Sequence, residues 1–147
     1  RIFGGDMAMR EQELLKKAEE ASQYAYAPYS HFLVGAAVLC ADGSIYTGCN
    51  VENASYGLCM CAERVAIGKA VSEGKRRIDM IAIAGREEGG AFRASCSPCG
   101  ACRQVIAEFS DENTRVITGN SDGEWKEWSV REMLPAAFEM EESNESL

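Results

Sequence analysis

Two short cysteine segments, Cys61-Ala-Glu63 and Pro98-Cys99-Gly-Ala-Cys102, constrain this chain more than any other feature. If their three thiols serve one ion, the fold must bring together two segments that lie far apart along the chain. A closed structural zinc site takes four protein ligands, whereas a catalytic site keeps three and leaves the fourth position to water. The obvious donors here are Cys61, Cys99 and Cys102, and a carboxyl group, Glu63, stands two residues beyond the first. That set suits a metal that activates water and an acid that moves its proton. Two other readings stand beside it. A C-x-x-C pair can be a redox couple, and Cys59 and Cys96 flank the two segments, which would allow a closed four-cysteine site.

Hydrophobic periodicity indicates how the segments could meet. Leu14, Leu15, Ala18, Ala21, Tyr24 and Ala25 fall at helical spacing and predict an amphipathic helix over 10–25, broken by Ala27-Pro28-Tyr29-Ser30. Phe32 to Cys40 reads as a buried strand, and Ala41-Asp-Gly-Ser44 turns it back into a second strand, Ile45 to Cys49. A loop over 50–58 leads to a helix from about Cys61 to Glu73, closed by Gly74. Asp79 to Ala84 is a third strand, and a glycine-containing polar loop follows from Gly85 to Ser97. Pro98 opens the next helix, to about Phe109. Arg115 to Thr118 and Trp125 to Trp128 are strands around an Asn120-to-Gly123 turn, and Ser129 caps a short helix that ends before Pro135. The alternation predicts a three-layer α/β/α sandwich with a five-stranded mixed sheet. Its third and fourth strands should be parallel, and its fourth and fifth antiparallel.

The chain has 147 residues, which bounds it at one domain. Arg1-Ile-Phe-Gly-Gly-Asp6 lacks a leading methionine, so residues 1–8 read as vector-derived or disordered. The catalytic domain is expected over 9–138, and 139–147 as an acidic, frayed tail. The sequence shows neither a signal-peptide pattern nor an apolar run long enough to span a bilayer. Seven cysteines, an odd number, point to reduced thiols in a cytoplasm, some of them bound to metal. Cys40 and Cys49 are expected as small core residues. The net charge of −8 argues against a polynucleotide partner and suits a neutral small molecule.

Both Cys61 and Cys99 fall at predicted helix N-termini, where the helix dipole and free N–H groups favour thiolates. Cys102 lies one turn beyond Cys99 on the same helix face. Three thiolates carry excess negative charge, and Arg64 is a candidate to offset it by hydrogen-bonding to sulfur. The plainer readings are a surface arginine at position 64 and a dipole-favoured first-turn glutamate at position 63. His31, the one histidine, lacks ligand spacing and reads as structural or surface-exposed.

Several motifs in order resemble the small, homotetrameric cytidine deaminases. They are Tyr29-Ser-His-Phe-Leu-Val-Gly-Ala-Ala37, Gly48-Cys-Asn-Val-Glu-Asn-Ala-Ser-Tyr56, Cys61-Ala-Glu-Arg64, Pro98-Cys-Gly-Ala-Cys-Arg-Gln104 and Leu134-Pro-Ala-Ala-Phe138. The resemblance implies one zinc ion per subunit held by Cys61, Cys99 and Cys102, Glu63 as proton shuttle and Arg64 as the thiolates' partner. It implies water attack at C4 of cytosine, with protonation of N3 and departure of ammonia. The reaction would turn cytidine and 2′-deoxycytidine into uridine and 2′-deoxyuridine in pyrimidine salvage. Asn50 and Glu52 would bind the ribose 3′-hydroxyl, and Phe32 would line the base pocket unless it is simply a core phenylalanine. The backbone at Ala54 and Ala62 would face the pyrimidine, and Tyr56 and Phe138 would reach into a neighbouring subunit's pocket. The loop 86–97 is longer than the family's usual one. Other functions consistent with the motifs are deamination of a modified cytosine nucleoside and a non-catalytic zinc module. Editing of RNA or DNA is disfavoured by the acidic charge and the expected 3′-hydroxyl contacts.

Overall fold

Helix α1 (Met9–Ser22) and strand β1 (Phe32–Cys40) meet at a glycine. A Cβ on Gly35 would stand 1.8 Å from the backbone oxygen of Ala18, so only glycine lets the helix lie this close to the strand. The structure, a computed structural model, describes residues 9–141. Residues 1–8 and 142–147, which include most of the expected acidic tail, lie outside the described residues.

Strand β2 (Ile45–Cys49) returns from β1 through a turn in which Gly43 has φ 89° and the Asp42 carboxylate accepts from the Ser44 N–H at 3.0 Å. Helix α2 (Ala62–Ser72), strand β3 (Ile78–Glu87), helix α3 (Gly100–Glu108), strands β4 (Arg115–Gly119) and β5 (Trp125–Ser129) and helix α4 (Val130–Met133) complete the chain. The five-stranded sheet has the order β2-β1-β3-β4-β5. The β3–β4 pair, joined through a helix, is parallel; β1–β2 and β4–β5, joined by tight turns, are antiparallel, as is the central β1–β3 pair.

Alternating side chains divide the core into two layers. Ala37 and Leu39 of β1, with Met80, Ala82 and Ala84 of β3, pack under Leu14, Leu15 and Ala18 of α1. Val38 and Cys40, with Ile81 and Ile83, pack on the opposite face against Ala62, Ala66 and Ile67 of α2 and Ile106 of α3. One helix on one face and the others on the second give the expected three-layer α/β/α sandwich.

Three expected boundaries move. Helix α1 ends at Ser22, and the next N–H groups, of Gln23, Tyr24 and Ala25, make i→i−3 bonds. Tyr24 is 81% exposed and does not continue the apolar face. Strand β3 runs on to Glu87, because Gly85, Arg86 and Glu87 pair with Val34, Leu33 and Phe32. Pro98 lies outside α3, whose N-cap is Cys99. At the other helix end, Gly74 has φ 88°, and the Lys75 and Gly74 N–H groups bond to the carbonyls of Ala70 and Val71. This is a Schellman closure of α2.

Candidate metal centre and active site

Two helix starts converge above the sheet. Cys61 is the N-cap of α2 and Cys99 the N-cap of α3, and neither side chain caps its own helix. Both sulfurs are therefore free to point away from their helices, beside N–H groups that favour anions. Cys102, one turn into α3, is fully buried. The Sγ atoms of Cys61, Cys99 and Cys102 lie within 4.8 Å of one another, and form the metal-donor group found among the described residues. Cys61 and Cys99 are 3.9 Å apart and Cys99 and Cys102 3.5 Å. Tetrahedral zinc with Zn–S bonds of 2.3 Å places sulfurs about 3.8 Å apart, so the spacing of the donor set fits zinc.

The flanking cysteines stand apart from this group. Cys59 Sγ accepts from the Asn53 N–H at 3.3 Å. Cys96 Sγ lies against Gly85, and its thiol is pushed up to about 11, mainly by burial. The closed four-cysteine alternative therefore finds no fourth sulfur in the cluster. Cys40 is buried, as expected, but Cys49 is half-buried and faces an outer groove.

Glu63, in the first turn of α2, is only 4% exposed. Burial raises its carboxyl above the usual range, opposed by hydrogen bonds and by the charge of Arg64. Arg64 sends Nη2 to Cys61 Sγ at 3.5 Å and also interacts with Cys102. Its buried Nε has no hydrogen-bond partner. Burial would raise the Cys99 thiol, but hydrogen bonding with Cys102 and Cys61 brings it below its ordinary value. Cys102 moves the other way, driven up by burial and then by the Glu63 charge.

A cavity of about 390 Å³ opens over this cluster and is lined by Phe32, Asn50, Glu52, Cys61, Ala62, Glu63 and Cys99. Asn50 bonds β1 at both ends of its amide. Oδ1 accepts from the Val34 N–H at 2.8 Å, and Nδ2 donates to the Phe32 carbonyl at 2.9 Å. One amide proton remains for a ligand. Arg93 lies over the Phe32 ring, 4.7 Å from its centroid, and so backs this wall of the cavity. Ala54, Tyr56 and Phe138 do not line the cavity of their own chain, and Tyr56 and Phe138 are 79% and 71% exposed. His31 is exposed and faces Glu88, with Nδ1 3.1 Å from the carboxylate.

Sequence reasoning missed Ser30, Val34, Met60 and Ser97 as cavity-lining residues, and did not place Cys59 and Cys96 there. Ser30 and Val34 fall inside a motif given above, but only the pairing of β1 with its neighbours and the contact of the preceding turn with Glu52 set them at the site. A larger groove, about 780 Å³, runs beside edge strand β2 between α1 and α2. It contains Lys17, Glu20 and Lys69 but none of the clustered thiols, so volume alone does not mark the chemistry.

Fold and site together define a zinc-binding α/β enzyme domain with a buried acid beside its thiol donors. The family model for the cytidine and deoxycytidylate deaminase zinc-binding region matches residues 9–119. The chain is similar to cytidine deaminases of Halalkalibacterium halodurans, 48% identical over 93% of this chain and 100% of that protein, and of Sporosarcina psychrophila, 46% identical over 89% and 93%. Among solved structures it is similar to cytidine deaminase from Burkholderia pseudomallei, with a TM-score of 0.79 and 44% identity over 88% of this chain and 100% of that one. The enzyme from Mycobacterium tuberculosis gives a TM-score of 0.71 at 37% identity, over 88% and 98%. The chain belongs to the cytidine and deoxycytidylate deaminase family.

Proposed function

We propose that this protein hydrolytically deaminates cytidine and 2′-deoxycytidine, giving uridine or 2′-deoxyuridine and ammonia, as a step of pyrimidine salvage. The observation that carries this reading is the placement of a buried carboxyl, Glu63, beside a three-thiol donor cluster on the floor of one cavity. Cys61, Cys99 and Cys102 would hold the zinc ion, which would supply the Lewis acidity for attack of water on C4 of the base. Glu63 would take one proton from the attacking water and deliver it to N3, then carry the second, from the new C4 hydroxyl, to the amino group, which leaves as ammonia. Burial favours the protonated form of this carboxyl, which suits a group that must give its proton back. Arg64 offsets the charge of the thiolates by donating to sulfur.

Phe32 and the backbone of Ala62 flank the base. Asn50 donates its spare amide proton to the ribose 3′-oxygen while Glu52 accepts from the 3′-hydroxyl. A 3′-phosphate would meet the Glu52 anion, so the substrate is a free nucleoside rather than a nucleic-acid strand. The net charge of −8 supports the same choice.

The working assembly is a homotetramer, in which Tyr56 and Phe138 complete a neighbouring subunit's pocket. Their high exposure outside their own cavity supports this reading. Residues 9–138 act as the catalytic domain. Seven free cysteines suit a reducing cytoplasm, and among the described residues no helix is long and apolar enough to cross a membrane.

The direct test follows cytidine absorbance as uridine forms, before and after prolonged chelation. Turnover that disappears with the metal and returns with zinc is the expected result. Folded, zinc-loaded protein that turns over neither cytidine nor 2′-deoxycytidine would overturn it.

A further inference from the structure

Glu52 stands at the mouth of the cavity, and one turn of the chain holds its carboxylate from two sides. The Tyr29 and Ser30 N–H groups donate to Oε1 at 3.0 and 3.1 Å, and the Ser30 hydroxyl donates to Oε2 at 2.5 Å. The hydroxyl is itself oriented, because the Phe32 N–H donates to Ser30 Oγ at 3.1 Å. With that oxygen accepting, its single proton is directed at Glu52. The turn is fixed from outside as well. His31 sits at φ 58°, its N–H reaches the Ala27 carbonyl at 3.0 Å, and its own carbonyl accepts from the Glu88 N–H at 2.8 Å.

The hydrogen-bond count then becomes informative. An ionised carboxylate offers about four acceptor sites and no donor. Two on Oε1 and one on Oε2 are already used by this turn. The remaining site lies on Oε2, the oxygen that Ser30 holds. Ser30 and Glu52 both line the cavity, so that last site is available to a donor within it.

We propose that Ser30 is a positioning residue for substrate discrimination: by holding Glu52 Oε2 it aims the one free acceptor at the sugar 3′-hydroxyl. This rests on the reading above of Glu52 as the ribose contact. Ser30 does not touch the reacting atoms, and its effect passes through Glu52. It therefore governs how well the enzyme separates a sugar that carries a 3′-hydroxyl from one that lacks it. The same hydroxyl also helps keep Glu52 an anion, and hence a pure acceptor, because its hydrogen bond is the largest cause of that carboxyl's lowered pKa.

The test compares 2′-deoxycytidine with 2′,3′-dideoxycytidine, which differ only in the 3′-hydroxyl, on the wild type, Ser30→Ala, Ser30→Thr and Glu52→Gln. For Ser30→Ala, kcat/KM on 2′-deoxycytidine should fall about 10-fold, mostly through KM, as expected for a lost hydrogen bond to a charged group, with less than about a 2-fold change on 2′,3′-dideoxycytidine. Ser30→Thr, which keeps the hydroxyl, should restore most of the discrimination. Unimpaired turnover of 2′,3′-dideoxycytidine also shows that Ser30→Ala folds and holds its metal. An equal loss on both substrates, or no loss on either, would overturn the positioning role. Glu52→Gln separates the two ideas. If it leaves the preference for the 3′-hydroxyl intact, the reading of Glu52 fails. If it abolishes the preference while Ser30→Ala does not reduce it, only the role of Ser30 fails.

Discussion

Arg64 places its Nη2 3.5 Å from Cys61 Sγ, three residues back along the chain and at the mouth of the same helix. The contact ties a guanidinium to a thiol that starts α2, and it raises the affinity of Arg64 for its proton. Arg64→Gln should keep the fold and the zinc content yet lower kcat by roughly 10- to 100-fold, the range typical of lost partners to metal ligands. Metal analysis beside steady-state kinetics would check it. Unchanged kcat would show that the thiolates' charge is offset elsewhere.

Glu63→Gln preserves shape and burial while removing the titrating proton. The expected outcome is full zinc occupancy, an unaltered melting curve and a kcat lower by about 10²–10⁴-fold. Substantial residual deamination would assign the proton transfer to another group.

Gly48 governs how α2 sits on the sheet. A Cβ there would come within 2.5 Å of the Ala66 nitrogen and 2.7 Å of the Ala62 oxygen, both backbone atoms. Backbone cannot step aside as a flexible side chain can, so Gly48→Ala should destabilise by about 1–3 kcal/mol or more. Since α2 carries Cys61 and Glu63 at its start, zinc affinity should fall along with the melting temperature. A mutant with wild-type stability and metal content would show that α2 is not seated on β2 as described.

The Glu52 carboxyl is held below its usual value, first by the Ser30 hydroxyl and then by the Ser30 N–H, with a smaller part from the Tyr29 N–H. A lowered folded-state value means that the ionised group favours the native turn at neutral pH. That contribution is complete above the ordinary glutamate range, near pH 4.3, and is lost as pH falls through the lowered value. A carboxyl-carbon NMR titration should place the Glu52 midpoint below that of an ordinary glutamate, and Ser30→Ala should move it up. A midpoint that ignores the substitution would contradict the hydrogen bond.

Some features were legible because they depend on local chemistry. The apolar run Phe32–Cys40, the Asp-Gly turn at 42–43, Gly74 after α2 and Ser129 before α4 each follow from propensity and capping within a few residues. Ser129 and Glu132 complete the reciprocal capping box. The three thiols and Glu63 were legible for a related reason: metal chemistry limits which residue types can do the work, and their spacing sets them at helix starts.

The remaining features depended on partners distant in sequence. Tyr24 and Ala25 continue the helical period of α1, yet the chain leaves the helix because Tyr26 bridges to Val51 instead. Gly85-Arg86-Glu87 has no apolar pattern, and becomes strand only through pairing with Phe32–Val34. The role of Ser30 rests on a carboxylate 22 residues away, brought to it by the β1–β2 hairpin and the turn before it. Sequence by itself determined the donors and the order of the elements, because those are matters of residue type and local backbone preference. Tertiary structure alone decided which hydroxyl holds which carboxylate and which sulfurs share a cluster, because those contacts exist only once the sheet has brought distant segments within hydrogen-bonding reach.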